Sequence, residues 1–517
     1  MNGAGVFSKV AVNAVANLSR TGAAWAIVLF LPPLLVRVLD KPTYATWFLI
    51  LQIGAYVALI DSGIQSAIGR FVARAEGLQD RRYMGQALSS AALILTVAAL
   101  VAVAVTVVCS WQLDHFFHGI PTSIVPAARQ SLLVIGISLA ISLPFSTFAG
   151  AFLGLQMNHI NALAGSVGKV AGAAGAGWAA WRHHGLLEMA LWMGFGNLLQ
   201  GVIYVISWKR LGLRGLLRRA FLTGRAISEF SRFCVAMFAT QFAALLITGM
   251  DMPVVAAFDF HSAAYYAVAA TAGSMLAAPH AAIITTLIPV ASGISATEAP
   301  DRLGQIVLRT TRYGTAVLCL LTLPLVAGLS PFLRLWVGVD YARHALPLAV
   351  ILVAAQFVRL TLMPYAAIGF GAGQQQRMLV SPLGEGVVNL GCSVMGAWYL
   401  GAIGVALGTL VGAWAGVILH FTNSMPRTDS MKFSRSRLIF TCILKPICCC
   451  VPSLLLTLLL TRILHTPPAQ VAIIAIGELV AIWILWRANF DFREREELAG
   501  LFSHVFPYSS RPGGNRA

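Results

Sequence analysis

Five ionisable side chains fall where a charge is costly. Lys169, Asp251, Arg359, Glu385 and Glu478 each lie inside a long apolar run. A charge at the centre of a bilayer costs about 2.5–3.5 kcal/mol even on insertion scales, so each is expected to face a cavity or a partner. Lys169 and Arg359 lie in different halves of the chain and suit an anion such as a phosphate, to which Arg offers a planar fork and Lys a point charge. Glu385 and Asn389 share a helical face at i, i+4 and form a candidate protonation or cation site, with Asp251 a second candidate. Arg70 and Arg74 also stand at i, i+4, near the end of an apolar run; they suit a pyrophosphate, and snorkelling to the interface explains them equally. Arg20 and Arg37 flank the first run in the same ambiguous way. Asp61 is expected to brace Arg70 or a helix end, with ion coupling as its other role, and Glu478 is expected to be structural.

The elements that must position these residues are read from composition. Of 517 residues, 58% are hydrophobic and 11% charged, with mean hydropathy +0.79. Soluble domains carry about a quarter charged residues, so a globular cytosolic enzyme is excluded. About fourteen runs are long enough for a span of roughly 20 residues. They lie near 17–39, 44–68, 83–110, 125–155, 160–181, 185–208, 230–256, 263–295, 304–329, 344–370, 378–400, 402–424, 438–461 and 467–487. Their continuous apolarity predicts helices rather than alternating barrel strands. The glycines between Gly165 and Gly177 make that run either mobile or tightly packed.

The 36 Lys and Arg against 19 Asp and Glu give a formal charge of +17. Most positives fall in alternate loops, including Arg81 and Arg82, the stretch from Lys209 to Arg232, and Arg427, Lys432, Arg435 and Arg437. This bias places both termini in the cytoplasm and explains the charge without nucleic acid. Lys9 and Arg20 precede a run broken by Pro32 and Pro33, and the pattern is that of a first span rather than a cleaved signal. Cys442, Cys448, Cys449 and Cys450 lack zinc-site spacing, and small apolar packing is the expected role of the eight cysteines. No Gly-x-x-x-x-Gly-Lys loop serves ATP, and no Asp-x-Asp or large aqueous domain serves a glycosyltransferase. The expectations are no catalytic residue, no metal and no cofactor, with energy drawn from a proton or sodium gradient or the membrane potential.

One internal match organises the chain. Asp80-Arg81-Arg82-Tyr83-Met84-Gly85-Gln86 opens the third span, and Asp301-Arg302-Leu303-Gly304-Gln305 opens the ninth. Each is followed by one apolar helix and an aromatic loop, Trp111 to Gly119 and Arg334 to Gly338. An offset of six spans relates two parallel halves by an axis along the membrane normal. The predicted fold is an all-α integral membrane protein of about fourteen helices, built as two six-helix bundles and two C-terminal helices. The predicted segments are a bundle over 1–210, a basic linker over 211–229, a bundle over 230–424, a loop over 425–437, a helix pair over 438–487 and a tail over 488–517.

Four stretches resemble the bacterial polysaccharide flippases of the multidrug/oligosaccharidyl-lipid/polysaccharide exporter superfamily. They are Leu59 to Ala73; Asp251-Met252-Pro253-Val254-Val255 with Tyr265-Tyr266-Ala267-Val268-Ala269; Leu333-Arg334-Leu335-Trp336-Val337-Gly338; and Glu385 to Leu390 with Gly401 to Thr409. The resemblance implies a V-shaped pair of six-helix bundles that moves an undecaprenyl-pyrophosphate-linked oligosaccharide across the bacterial inner membrane for O-antigen or exopolysaccharide assembly. The polymerising machinery is then an expected partner beside membrane lipids. Drug/cation exporters and peptidoglycan-precursor flippases share the fold and are the alternatives.

Overall fold

The structure is a computed structural model that describes residues 3–217, 219–224, 226–228, 230–231, 241–284, 300–428, 431–464, 466–492 and 494–496; of these, the side chains of 3–20, 58–63, 66, 214, 219, 282, 283 and 375 are not described. The expected residues Arg20 and Asp61 therefore have side chains outside the described set.

The first half builds α1 (Gly3–Val38), α2 (Lys41–Gly77), α3 (Arg81–Trp111), α4 (Val125–Ser142), α5 (Ser146–Gly154), α6 (Asn158–Trp181) and α7 (Leu186–Arg210). Asp80 caps α3 by accepting from the Tyr83 amide at 2.9 Å, which satisfies one of the orphan donors at a helix start. The run expected as one span over 125–155 is one apolar helical stretch, Val125–Gly154, interrupted by a 3-10 turn at Leu143–Phe145 that carries Pro144, which has no amide hydrogen. The second half builds a π-helical stretch Leu245–Gly249, then α8 (Asp251–Phe258), α9 (Phe260–Ile284), α10 (Pro300–Val337), α11 (Val339–Thr361), α12 (Met363–Gly371), α13 (Gln375–Leu419), α14 (Lys445–Ile463) and α15 (Pro467–Ile484). Among the described residues ten helical stretches are long and apolar enough to cross a membrane. The chain is an all-α, multi-pass membrane protein.

Within α13 the chain turns at Gly401, which adopts φ 58°, ψ −138°, between the spans expected at 378–400 and 402–424. Only glycine takes that backbone without strain. Asp259 then caps the second half of α13, its Oδ2 accepting from the Ala402 amide at 3.0 Å. A Cβ on Gly401 would sit 2.4 Å from the same oxygen.

The chain divides into two compact units. The first holds Met1–Ser274, Leu333–Ala355 and Gln376–Met425. Its core includes Ile68, Val72, Leu88, Leu95, Leu143 and Phe152, each nearly inaccessible. Two seams bring helix backbones together through glycine. A Cβ on Gly168 of α6 would lie 2.6 Å from the Gly196 carbonyl of α7, and one on Gly175 would lie 2.3 Å from the Trp192 ring. The glycine-rich run is thus tightly packed, the second of its two expected states. Along α13, Gly404, Gly408, Gly412 and Gly416 press on Gly396, Ser393, Asn389 and Glu385. Small residues at four-residue spacing permit this approach.

Prolines supply further connections in this unit. Pro33 cannot donate to the Leu29 carbonyl four residues earlier, and that oxygen accepts from Trp336 Nε1 at 2.6 Å. Pro253 likewise leaves the Gly249 carbonyl free, and it accepts from Tyr56 at 2.5 Å and Gln52 at 3.3 Å. Near the start of α2, Lys41 forms an ion pair with Asp340 at 2.7 Å and lies over the rings of Tyr265 and Tyr341. The Asp340 carboxylate and the Tyr265 hydroxyl hold the Lys41 ammonium above its ordinary pKa.

The second unit holds Met275–Phe332, Gln356–Gln375 and Pro426–Ala517. Cys319 and Cys450 sit in its core with Ala316, Leu323, Ala481 and Leu485, consistent with cysteine as a small buried hydrophobe. Ser453 of α14 donates to the Gly477 carbonyl of α15 at 2.6 Å. Arg312 pairs with Glu494, both largely buried. Glu478, expected as structural, has an Oε2 that is buried with no hydrogen-bond partner among the described residues.

Candidate functional site

Two polar regions lie within the first unit. One is a cavity of about 430 Å³ bounded by α2, α4, α5, α6 and α7. Its polar lining is mostly amide and hydroxyl: Gln65, Ser146, Asn158, Asn161, Asn197, Gln200 and Tyr204, with Lys169 as the cation. Asn158, Asn161, Gly165 and Lys169 follow one another at three- or four-residue steps along α6 and so share a side. Asn197 and Gln200 do the same on α7. The amides are held in place: Asn197 donates to Ser138 Oγ at 3.1 Å, Gln200 to the Tyr204 hydroxyl at 3.2 Å and Asn161 to the Ala149 carbonyl at 2.9 Å. Asn161 Oδ1 is buried and has no partner among the described residues. An amide offers both donors and acceptors and a hydroxyl offers either. This lining therefore suits a ligand dense in hydroxyl groups, and Lys169 adds a site for an anion.

The other region is buried. Asp251 opens α8 and is 7% exposed, Glu385 is 6% exposed and Asn389 is fully buried. Asn389 donates to the Ile247 carbonyl at 2.7 Å and more weakly to Leu246 and Asp251 Oδ1, each at 3.3 Å. Thr409 donates to Asp251 Oδ2 at 3.0 Å, and Ser393 donates to Asn389 Oδ1 at 3.1 Å. The π-helical turn before Asp251 displaces the ordinary hydrogen-bond register, which makes the Leu246 and Ile247 carbonyls accessible to Asn389. Carboxylate, hydroxyl and amide oxygens meet here, a set able to take a proton or a hard cation. Among the described residues no group of three or more His, Cys, Asp or Glu could hold a metal ion.

The sequence-predicted residues thus separate. Lys169 joins the cavity; Asp251 and Asn389 join each other, with Glu385 one turn from Asn389 against Gly416. Arg70 and Arg74 are exposed on α2. Arg359 belongs to the second unit, half-buried, and donates to Gln356 Oε1 at 3.1 Å. Sequence reasoning missed the cavity amides and Thr409. The repeated spacing of Asn158 with Asn161 and of Asn197 with Gln200 inside apolar runs was the signal that would have found the amides.

No family model matches the chain, and no curated protein matches it in sequence. Solved structures match its fold. The lipid II flippase MurJ in an inward closed conformation is similar with a TM-score of 0.67, at 16% identity over 92% of this chain and 98% of that one. A multidrug-resistance MATE family transporter of the MOP superfamily is similar in its inward-facing form with a TM-score of 0.61, at 14% identity over 77% of this chain and 94% of that one. An outward-facing MATE transporter gives 0.58, at 15% identity over 80% of this chain and 93% of that one. The chain has the fold shared by these proteins.

Proposed function

We propose that this protein is a secondary transporter of the bacterial inner membrane, with both termini cytoplasmic, that carries an undecaprenyl-pyrophosphate-linked oligosaccharide to the outer leaflet by alternating access. The observation that carries this reading is the amide- and hydroxyl-lined cavity with Lys169 at its edge. A glycan needs many neutral hydrogen-bond partners, and a phosphate needs a cation. The fold shared with MurJ and the MATE transporters supports transport between two access states, with the two six-helix halves as the moving parts. Arg70, Arg74 and Arg20 serve as entry cations, and Arg359 is a substrate cation of the second unit. Coupling to a proton or cation runs through Asp251, Glu385 and Asn389, with Asp61 in a supporting role.

A second reading, a peptidoglycan-precursor flippase, is favoured by the likeness to the lipid II flippase over 92% of the chain. One experiment separates the two: depletion of the protein, followed by analysis of lipid-linked sugars on the cytoplasmic leaflet. The proposal expects a stalled polymer-repeat oligosaccharide with normal peptidoglycan synthesis. Accumulated peptidoglycan precursor selects the second reading, and neither accumulation removes both.

A further inference from the structure

Along α6 the surface changes character at Lys169. Before it, Asn158, Asn161 and Gly165 border the polar cavity. After it, from Val170 to Trp181, the helix forms one wall of a groove of about 540 Å³ whose other wall is α1 from Ala23 to Leu34. No charged or amide side chain lines this groove. Its floor closes at Gly177, where a Cβ would lie 3.1 Å from Leu34 and 3.2 Å from Leu31. Its rim carries Phe30, Trp178 and Trp181, all exposed. Each wall runs eleven steps of 1.5 Å, about 16 Å in all, which is half of a hydrocarbon core of roughly 30 Å. Lys169 stands one helical turn from Gly165 in the cavity and one turn from Ala173 in the groove.

One helix therefore presents, in order, a hydroxyl-matching pocket, a cation and an apolar channel one leaflet long. We propose that the groove between α1 and α6 binds the isoprenoid tail of a polyprenyl-phosphate lipid, with the phosphate at Lys169; this deepens the proposed function and rests on its reading of the cavity. A single tail fits a groove with one helix on each side, whereas a diacyl lipid brings two. The small Ala26, Ala173 and Ala174 between bulky neighbours leave recesses for the methyl branches of an isoprenoid.

The test uses the full-length protein in nanodiscs of phosphatidylethanolamine and phosphatidylglycerol doped with a polyprenyl phosphate bearing a tail diazirine. After illumination, labelled peptides are mapped by mass spectrometry. Label is expected on 23–34 and 170–181, displaced by unlabelled polyprenyl phosphate and not by added phosphatidylglycerol. Ala26→Phe and Ala174→Phe fill the groove from positions already exposed; each is expected to lower the label about tenfold, with thermal unfolding unchanged. Lys169→Gln is expected to make polyprenyl phosphate compete no better than uncharged polyprenol. Label spread evenly over lipid-facing helices, equal competition by phosphatidylglycerol, or label unaffected by both Phe variants overturns the groove assignment. Groove labelling in a protein whose loss stalls no lipid-linked oligosaccharide removes the transport reading alone. Oligosaccharide transport with the tail labelled elsewhere removes the groove alone.

Discussion

The α6–α7 hairpin and the two halves of α13 are built by the same device and end differently. Both bring backbones together through glycine: Gly168 against Gly196 in one, Gly404 to Gly416 against Gly396 to Glu385 in the other. In the first, the polar side chains lie beside the glycine contacts and open into a cavity. In the second, Glu385, Asn389 and Ser393 are themselves what the glycines press on; Ser393 donates to Asn389, Asn389 donates to Asp251 and to helix carbonyls, and Thr409 closes the network on Asp251. A glycine stripe sets how closely helices approach. The residue opposite the stripe decides whether the seam becomes a pocket or a sealed polar core.

The largest expected effect tests the sealed seam. Gly408→Leu drives a side chain into Ser393, whose amide nitrogen a Cβ would meet at 2.5 Å. Overpacking of this kind is expected to destabilise by about 3 kcal/mol, read as thermal unfolding in detergent. Gly165→Ala in the open seam, where a Cβ meets nothing within 4 Å, is expected to stay within about 0.5 kcal/mol. Equal losses would break the comparison.

The next pair separates function at the two sites. Lys169→Gln should lower transport about tenfold at unchanged abundance, the scale of one lost charged contact. Asp251→Asn should keep substrate exchange in proteoliposomes while removing its response to an imposed proton or sodium gradient. If Asp251→Asn behaves like Lys169→Gln, the buried network binds substrate and the division of labour fails.

The smallest effect comes from the loop between α3 and α4, where Asp114 accepts from Arg129 of α4 at 2.5 Å, which holds its carboxyl below the usual range. A lowered folded value means that the pair's stabilisation is complete above the unfolded carboxylate value of about 3.9 and is lost as pH falls through the folded value. Asp114→Asn should lower stability slightly at neutral pH and not at all at low pH, which flattens the acid limb of the unfolding curve. An unaltered acid limb would show that the exposed pair contributes nothing.

Much of the helical layout is legible in sequence because apolar run length and punctuation are local. Gly401 falls between two expected spans, and Asp80 caps where the acidic opening of the repeat stands. The span expected over 125–155 stands as Val125–Gly154, and the 3-10 turn at Pro144 inside it leaves no mark in the hydropathy because the flanking residues stay apolar. The site was half legible. Lys169, Asp251 and Glu385 are conspicuous by cost and Asn389 by its spacing from Glu385, whereas the cavity amides carry no charge and only their convergence from separate helices gives them meaning. The state of the glycine run was unreadable for the same reason: its partners, Trp192 and Gly196, lie on the next helix.

The Leu29 and Gly249 carbonyls carry a further consequence for how such a chain tolerates change. Because the acceptor at each is main-chain oxygen, replacing Leu29 or Gly249 does not delete it. The vulnerable positions are the prolines four residues on that keep the oxygen vacant, the donors Trp336, Tyr56 and Gln52, and Gly249 itself, where a Cβ would lie 3.2 Å from the Tyr56 ring. Three bonds of the first unit, made to two carbonyls, thus depend on prolines that take no part in them, so a proline replacement would surface as a loosened joint between helices.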